Sequence, residues 1–203
     1  MTPAVRLSEV IQSRRSVRSF RPEPVPPALL EELLALTVQA PSAHNSQPWR
    51  FVVLQGDKHK LKLAKAMGEQ LRLQRLDDGD PHSAVNADVA RSIKRISEAP
   101  LALLLCMVEE DLDSYPDDTR RQAERTMGVQ SVALAAGHFL LAAEEAGLGA
   151  CWICAPLFAP QASATSLDLP QGWEPQALIL AGYPAESGAA RDRKAMSEVV
   201  RWL

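Results

Sequence analysis

The 203-residue chain is 46% apolar and 23% charged, carries a net charge of −3 and is only 5% aromatic. This composition supports one domain over residues 1–203 with a core of useful size. It excludes the strong basic field that would hold nucleic acid or an anionic membrane surface.

Leu7, Val10 and Ile11 share a face, so a short helix is expected over residues 7–15, with Ser8 placed to cap it. The prolines of 21–27 keep the next stretch extended, because each disfavours helix in the residue before it. Leu29, Leu30, Leu33, Leu34, Leu36 and Val38 then mark an amphipathic helix over 27–40, which Pro41 ends. Residues 41–49, Pro-Ser-Ala-His-Asn-Ser-Gln-Pro-Trp, are dense in turn formers and read as an ordered loop. A strand at 51–54 and a helix at 58–73 follow, and Asp-Asp-Gly-Asp-Pro reads as part of a mobile surface loop over 76–86. A helix over 87–97 precedes the continuous apolar run 101–108, which suits a strand buried on both faces. One long helix spans 119–146, with Gly147 and Gly149 terminating it. Its most apolar part, 129–143, is too short and too polar for a bilayer span of about 20 apolar residues. A buried strand at 151–154, a short helix at 158–167 and a strand at 176–183 come next. The tail, 184–203, is polar until Val199, Val200, Trp202 and Leu203, and an apolar chain end implies a surface to dock on. The whole reads as α+β, with helices packed around a small central sheet.

The three cysteines, Cys106, Cys151 and Cys154, are too few and odd in number for a disulfide framework. The N-terminal stretch MTPAVRLSEVIQSRRS has no apolar run before a small-residue cleavage site. Both point to a reducing, cytoplasmic setting.

Two constellations carry chemistry. Arg14, Arg15, Ser16 and Arg18 place guanidiniums and a hydroxyl side by side. Arginine grips phosphate bidentately and keeps its charge; the plainer reading is a solvated basic cluster at a helix C-terminus, where cations suit the macrodipole. The loop 40–49 combines small residues, which let backbone approach a planar ring, with the amides of Asn45 and Gln47. The plainer reading there is a helix-to-strand loop whose amides satisfy their own backbone. His44 could contact a substrate or donate a proton, or simply lie on the surface. His138, in the apolar helix, reads as a hydrogen-bonded core residue. Cys151-Trp-Ile-Cys154 could be a redox dithiol, but positions i and i+3 of a strand point to opposite faces. No ligand pairs recur at zinc spacing, so no metal is expected. No Gly-x-Gly-x-x-Gly or Walker run marks a resident dinucleotide.

Taken in order, Arg-Arg-Ser-Val-Arg (14–18), a proline-rich link, a helix and Ala-Pro-Ser-x-x-Asn-Ser-Gln-Pro-Trp-x-Phe (40–51) resemble the nitroreductase family. The resemblance continues through Glu-x-Gly-Leu-Gly-x-Cys-Trp-Ile (145–153), Gly-Tyr-Pro (182–184) and the basic pair Arg191 and Arg193, so it covers nearly the whole chain. It implies an α+β fold with a mainly antiparallel sheet, an intertwined homodimer, and FMN sites each built from both subunits. By that likeness Arg14, Arg15, Ser16 and Arg18 hold the phosphate, ribityl chain and N1–O2 edge, and Arg191 and Arg193 return to the phosphate. Pro41, Ser42 and Ala43 come from the second subunit to line the ring, with Asn45 and Gln47 matching the same motif. Cys154 and Ala155 fall near N5, where many relatives carry Glu-Gly or Gly-rich sequence, so Cys-Ala-Pro departs from the pattern. His44 falls near the open face of the ring, and Arg91 or Arg95 adds a contact.

The activity this implies has two half-reactions at one site, a ping-pong scheme. NADH or NADPH gives hydride to FMN, and an electron-poor acceptor such as a nitroaromatic or quinone then takes it. The cofactor carries the difficult chemistry, so no catalytic side chain is required. The chain length and the 145–153 stretch are also similar to the flavin-binding C-terminal domain of the deazaflavin-cofactor biosynthesis protein, which would make the acceptor a deazaflavin precursor. A flavin-binding or storage protein with little turnover and a dithiol oxidoreductase using Cys151 and Cys154 are the readings from other classes. Pocket walls are expected in 68–86 and 110–120.

Overall fold

The computed structural model describes residues 6–203. Its frame is a four-stranded sheet in the order β1-β2-β4-β3, antiparallel at every pairing. The strands are β1 (Trp49–Leu54), β2 (Leu101–Val108), β3 (Gly149–Ile153) and β4 (Trp173–Gly182). In chain order the helices are α1 (Leu7–Ser13), α2 (Pro27–Thr37), α3 (Asp57–Asp77), α4 (His82–Glu98), α5 (Asp118–Glu145), α6 (Ala155–Phe158), α7 (Pro160–Leu167) and α8 (Met196–Val199). This is the expected α+β arrangement.

Every residue of β2 is buried, because helices cover both faces of the sheet. Leu101, Leu103, Leu105 and Met107 pack with α2 and α5, through Leu33 and Phe139 among others. Ala102, Leu104 and Cys106 pack with α3 and α4, through Leu63, Met67 and Ile96. A strand apolar at both parities loses the alternation of a one-sided sheet, and β4 repeats the pattern with Leu178, Ile179 and Leu180.

By length and composition alone α5 would pass for a bilayer span, so its apolar part extends beyond the 129–143 expected from sequence. Its apolar residues Val132, Ala135, Ala136, Phe139 and Ala143 are spent on the core instead. Asp117 caps its N-terminus, accepting from the Arg120 amide at 2.9 Å, and Gly147 ends it with φ 75°. Gly149 is no terminator: it begins β3.

Other boundaries differ from the expectation. The first helix stops at Ser13, and Arg6 rather than Ser8 is its N-cap. The second stops at Thr37. The expected mobile loop over 76–86 is mostly helix, since α3 runs to Asp77 and α4 starts at His82. Val85 is fully buried, so the polar residues around it are the solvent face of a helix and not a loop. The tight turn between is held by Gly79 (φ 86°) and by Arg75, which pairs with Asp80 at 2.6 Å and with Asp88. The expected helix over 158–167 divides at Ala159 (φ −141°, ψ 49°) into α6 and α7, and Cys154 is the N-cap of α6, outside the strand.

Candidate functional site

After α1 the chain turns extended at Arg14 (φ −52°, ψ 128°) and runs along the edge of β3. Ser16 bridges Ala150 in parallel, and the Val17 amide donates to the Ala150 carbonyl at 3.0 Å. Residue 149 must be glycine for this contact, since a Cβ there would lie 2.7 Å from Val17 Cβ. Val17 is buried, and extended alternation turns Ser16 and Arg18 outward to the exposed side. The C-terminal tail joins this edge: Phe20 bridges Pro184, and the Ala185 amide donates to the Ser19 carbonyl at 3.1 Å.

The two anchored segments enclose a cavity of about 520 Å³ lined by Arg14, Arg15, Ser16 and Arg18 together with Arg191 and Arg193. Ile11, Gln12 and Ala189, which sequence reasoning did not single out, complete it. The expected residues from both ends of the chain therefore meet. Among the described residues none of these five guanidiniums joins an ion pair. Uncompensated arginines around one cavity are the chemistry of an anion site, phosphate above all. Arg15 is partly committed elsewhere: its Nη1 donates to the carbonyls of Gln12 at 2.6 Å and of Ser13 and Arg14 at 3.0 Å, closing the end of α1.

The loop before β1 is strained. His44 (φ 53°), Asn45 (φ 55°) and Gln47 (φ 49°) are all left-handed, a conformation non-glycine residues adopt rarely and which gathers at functional sites. Ser42 Oγ accepts from the Gln47 amide at 3.0 Å, and Ser131 Oγ on α5 accepts from the Ala43 amide at 3.2 Å. Pro41, Ser42 and Ala43 line a second cavity of about 290 Å³ with Met127, Gln130, Ser131 and Leu134. Within one chain this cavity and the arginine cavity share no lining residue. Asn45, Gln47 and His44 are exposed, and His44 Nε2 lies 4.0 Å from Asp113 Oδ2.

Cys154 and Ala155 line neither cavity. Cys154 is exposed and accepts a 3.0 Å hydrogen bond from Trp152 Nε1, while Ala155 packs at the margin of the α3–α4 core. Cys151 is buried and unpaired. Burial pushes its thiol up, against a smaller opposite pull from Arg18 and Arg95, and burial also pushes Cys106 up to about 12. A redox dithiol needs the reverse shift. Neither Arg91 nor Arg95 lines the arginine cavity, and Arg91 pairs with Asp88. His138 is half-buried, with no side-chain hydrogen bond among the described residues, so the expectation of a hydrogen-bonded core histidine is not met.

A profile of the Nitroreductase family matches residues 11–183. An NADH dehydrogenase of Thermus thermophilus is 30% identical over 93% of this chain and 92% of its own length. A 5,6-dimethylbenzimidazole synthase of Rhodospirillum rubrum is 31% identical over 89% of this chain and 82% of its own. Among solved structures, a nitroreductase-like protein from Bacillus cereus superposes with a TM-score of 0.77 at 22% identity, covering 100% of this chain and 98% of that one. A nitroreductase from Desulfovibrio desulfuricans, solved in complex with FMN, gives a TM-score of 0.73 at 22% identity over 97% and 95% of the two chains.

Proposed function

This chain belongs to the nitroreductase family, and from that premise we propose that it is an FMN-dependent oxidoreductase acting as a homodimer. Its reaction would oxidise NADH or NADPH and reduce an electron-poor acceptor, a nitroaromatic or quinone, in two half-reactions at one site. The observation that carries this reading is the cavity ringed by unpaired arginines, whose volume of about 520 Å³ falls in the usual range of small-molecule sites, roughly 300–1,000 Å³.

Bound FMN would supply the two-electron redox chemistry. Arg14, Arg191 and Arg193 would clamp its phosphate, with Ser16 as a hydroxyl donor beside them. Arg15 gives charge to the same wall while it closes α1. Arg18, turned outward beside β3, would offer a cation to the ring edge that gains negative charge on reduction. The strained loop 41–47 would reach the ring from a second copy of the chain, with His44 facing the substrate side. Cys154 and Ala155, at the start of α6, would stand near N5 in the same assembly. A second copy also accounts for the apolar surface left bare by one chain: Leu7 and Ile11 of α1, Leu134 of α5, and Trp202 and Leu203 are all exposed. Three unpaired thiols fit a cytoplasmic setting.

The test is an absorption spectrum of the purified protein with FMN, taken before and after anaerobic NADPH and then NADH. A bound-flavin spectrum that bleaches with either donor is the expected result. Flavin bound but unbleached would make this a storage protein or one with another reductant. No flavin binding would overturn the reading.

A further inference from the structure

Glu124 is the only buried carboxylate among the described residues, 2% exposed on α5. Its Oε1 accepts from the Asp113 amide at 3.3 Å, but its Oε2 is buried with no partner. A buried carboxyl oxygen with no hydrogen-bond partner and no counter-charge is costly and uncommon in folded proteins. Lys60, the other buried charge, shows the usual remedy, donating to the Ala99 carbonyl and pairing with Asp57 at 3.2 Å. Glu124 has no such cation. Arg121 and Arg125 line the same cavity of about 530 Å³ but are engaged elsewhere. Arg121 pairs with Asp118 and donates to the carbonyls of Tyr115 and Pro116, and Arg125 pairs with Glu109 and Glu174.

What does face Glu124 is a ligand set. His44, Asp113 and Glu124 each offer one ligand atom, and these atoms lie within 4.8 Å of one another. We propose that these three residues form a divalent cation site, one imidazole and two carboxylates, of the kind that takes Zn²⁺ or a similar first-row ion. Ligand atoms around tetrahedral zinc sit about 3.4 Å apart, given metal–ligand bonds near 2.1 Å. The 4.0 Å between His44 Nε2 and Asp113 Oδ2 must therefore close by roughly 0.6 Å, and any pair standing at the 4.8 Å limit by roughly 1.4 Å. Both side chains are exposed at about 60% and free to turn, while the buried Glu124 is the fixed point. Water fills the remaining coordination positions from the cavity. The ion would neutralise Glu124 and tie the left-handed His44 turn to α5. The proposal rests on this geometry. It gives His44 to the ion and not to the substrate side of the flavin, so the two roles exclude each other at any one moment, and zinc binding is read without FMN.

The experiment is calorimetric titration of the chelator-treated, full-length protein with Zn²⁺, with thermal unfolding followed in parallel. One ion per chain and a raised melting temperature are expected. His44→Ala and Asp113→Asn, both at exposed positions, should each weaken binding at least tenfold, as should Glu124→Gln if it folds. Cys154→Ser should keep full affinity, separating this site from the exposed thiol. Absence of stoichiometric binding in the wild type, undiminished affinity in His44→Ala and Asp113→Asn, or loss of binding in Cys154→Ser would overturn the proposal.

Discussion

Arg14 and Arg15 are neighbours with different tasks. Arg15 spends hydrogen bonds on the last carbonyls of α1, whereas Arg14 faces the cavity unpaired. If the cavity holds FMN, Arg14→Ala removes a charge-assisted contact worth about 1.5–3 kcal/mol. FMN affinity should then fall roughly 10- to 100-fold, while riboflavin, lacking the phosphate, should bind both proteins alike; flavin fluorescence quenching reads both. The cysteines divide in the same residue-by-residue way. Cys106 and Cys151 are buried with raised thiols and Cys154 is exposed. A thiol reagent at neutral pH should therefore label one cysteine per chain in the native protein and all three after unfolding. Rapid native labelling of Cys151 would revive the dithiol reading.

Between elements, the decisive contact is β3 against the arginine-bearing strand. Gly149→Ala pushes a Cβ into Val17, and overpacking of this kind costs about 1–3 kcal/mol. Because Val17 sits between Ser16 and Arg18, the same change should weaken FMN binding, and a variant that loses stability with no loss of flavin affinity would count against this edge as the site's foundation. A second link joins α5 to β4, where Arg125 holds Glu174 with a 2.6 Å bond in a two-pronged pair. The guanidinium holds the Glu174 carboxyl below its usual value. A depressed carboxyl stabilises the fold above its unfolded pKa of about 4.3 and loses that contribution as pH falls through the folded value. With the pair about a third exposed, solvent screening leaves roughly 1 kcal/mol. Glu174→Gln should thus lower stability by about that amount at pH 7, with the gap to wild type closing in acid, as urea melts across pH would show.

At the scale of the whole molecule, one chain leaves two things unfinished. The strained loop 41–47 and the arginine cavity carry complementary halves of the expected site yet share no lining residue, and the apolar end at Val199, Trp202 and Leu203 is bare. A second copy would complete both. Analytical ultracentrifugation should give twice the 22.2 kDa chain mass, and removing residues 196–203 should shift the equilibrium toward monomer. A stable monomer that still binds FMN would require the ring to be lined from within one chain.

The sequence by itself determined the elements that obey local rules. The fully apolar run of β2, the periodic leucines of α2 and the stop at Gly147 were readable because burial and backbone conformation act over a few residues. The arginines at 14–18 and 191–193, with the Pro-Ser-Ala loop, were readable as chemistry because their order along the chain follows a known family pattern. Tertiary structure decided the rest. The stretch 76–86 carries loop-forming residues, yet α4 packs along α3 with Val85 buried, and most of the stretch is helix. Glu124 lies among polar residues of α5 and looks solvated in sequence; only the fold buries it and brings His44 and Asp113 alongside. Residues so far apart in the chain have no spacing to read, because their proximity is set by how helices and sheet pack, not by local backbone geometry.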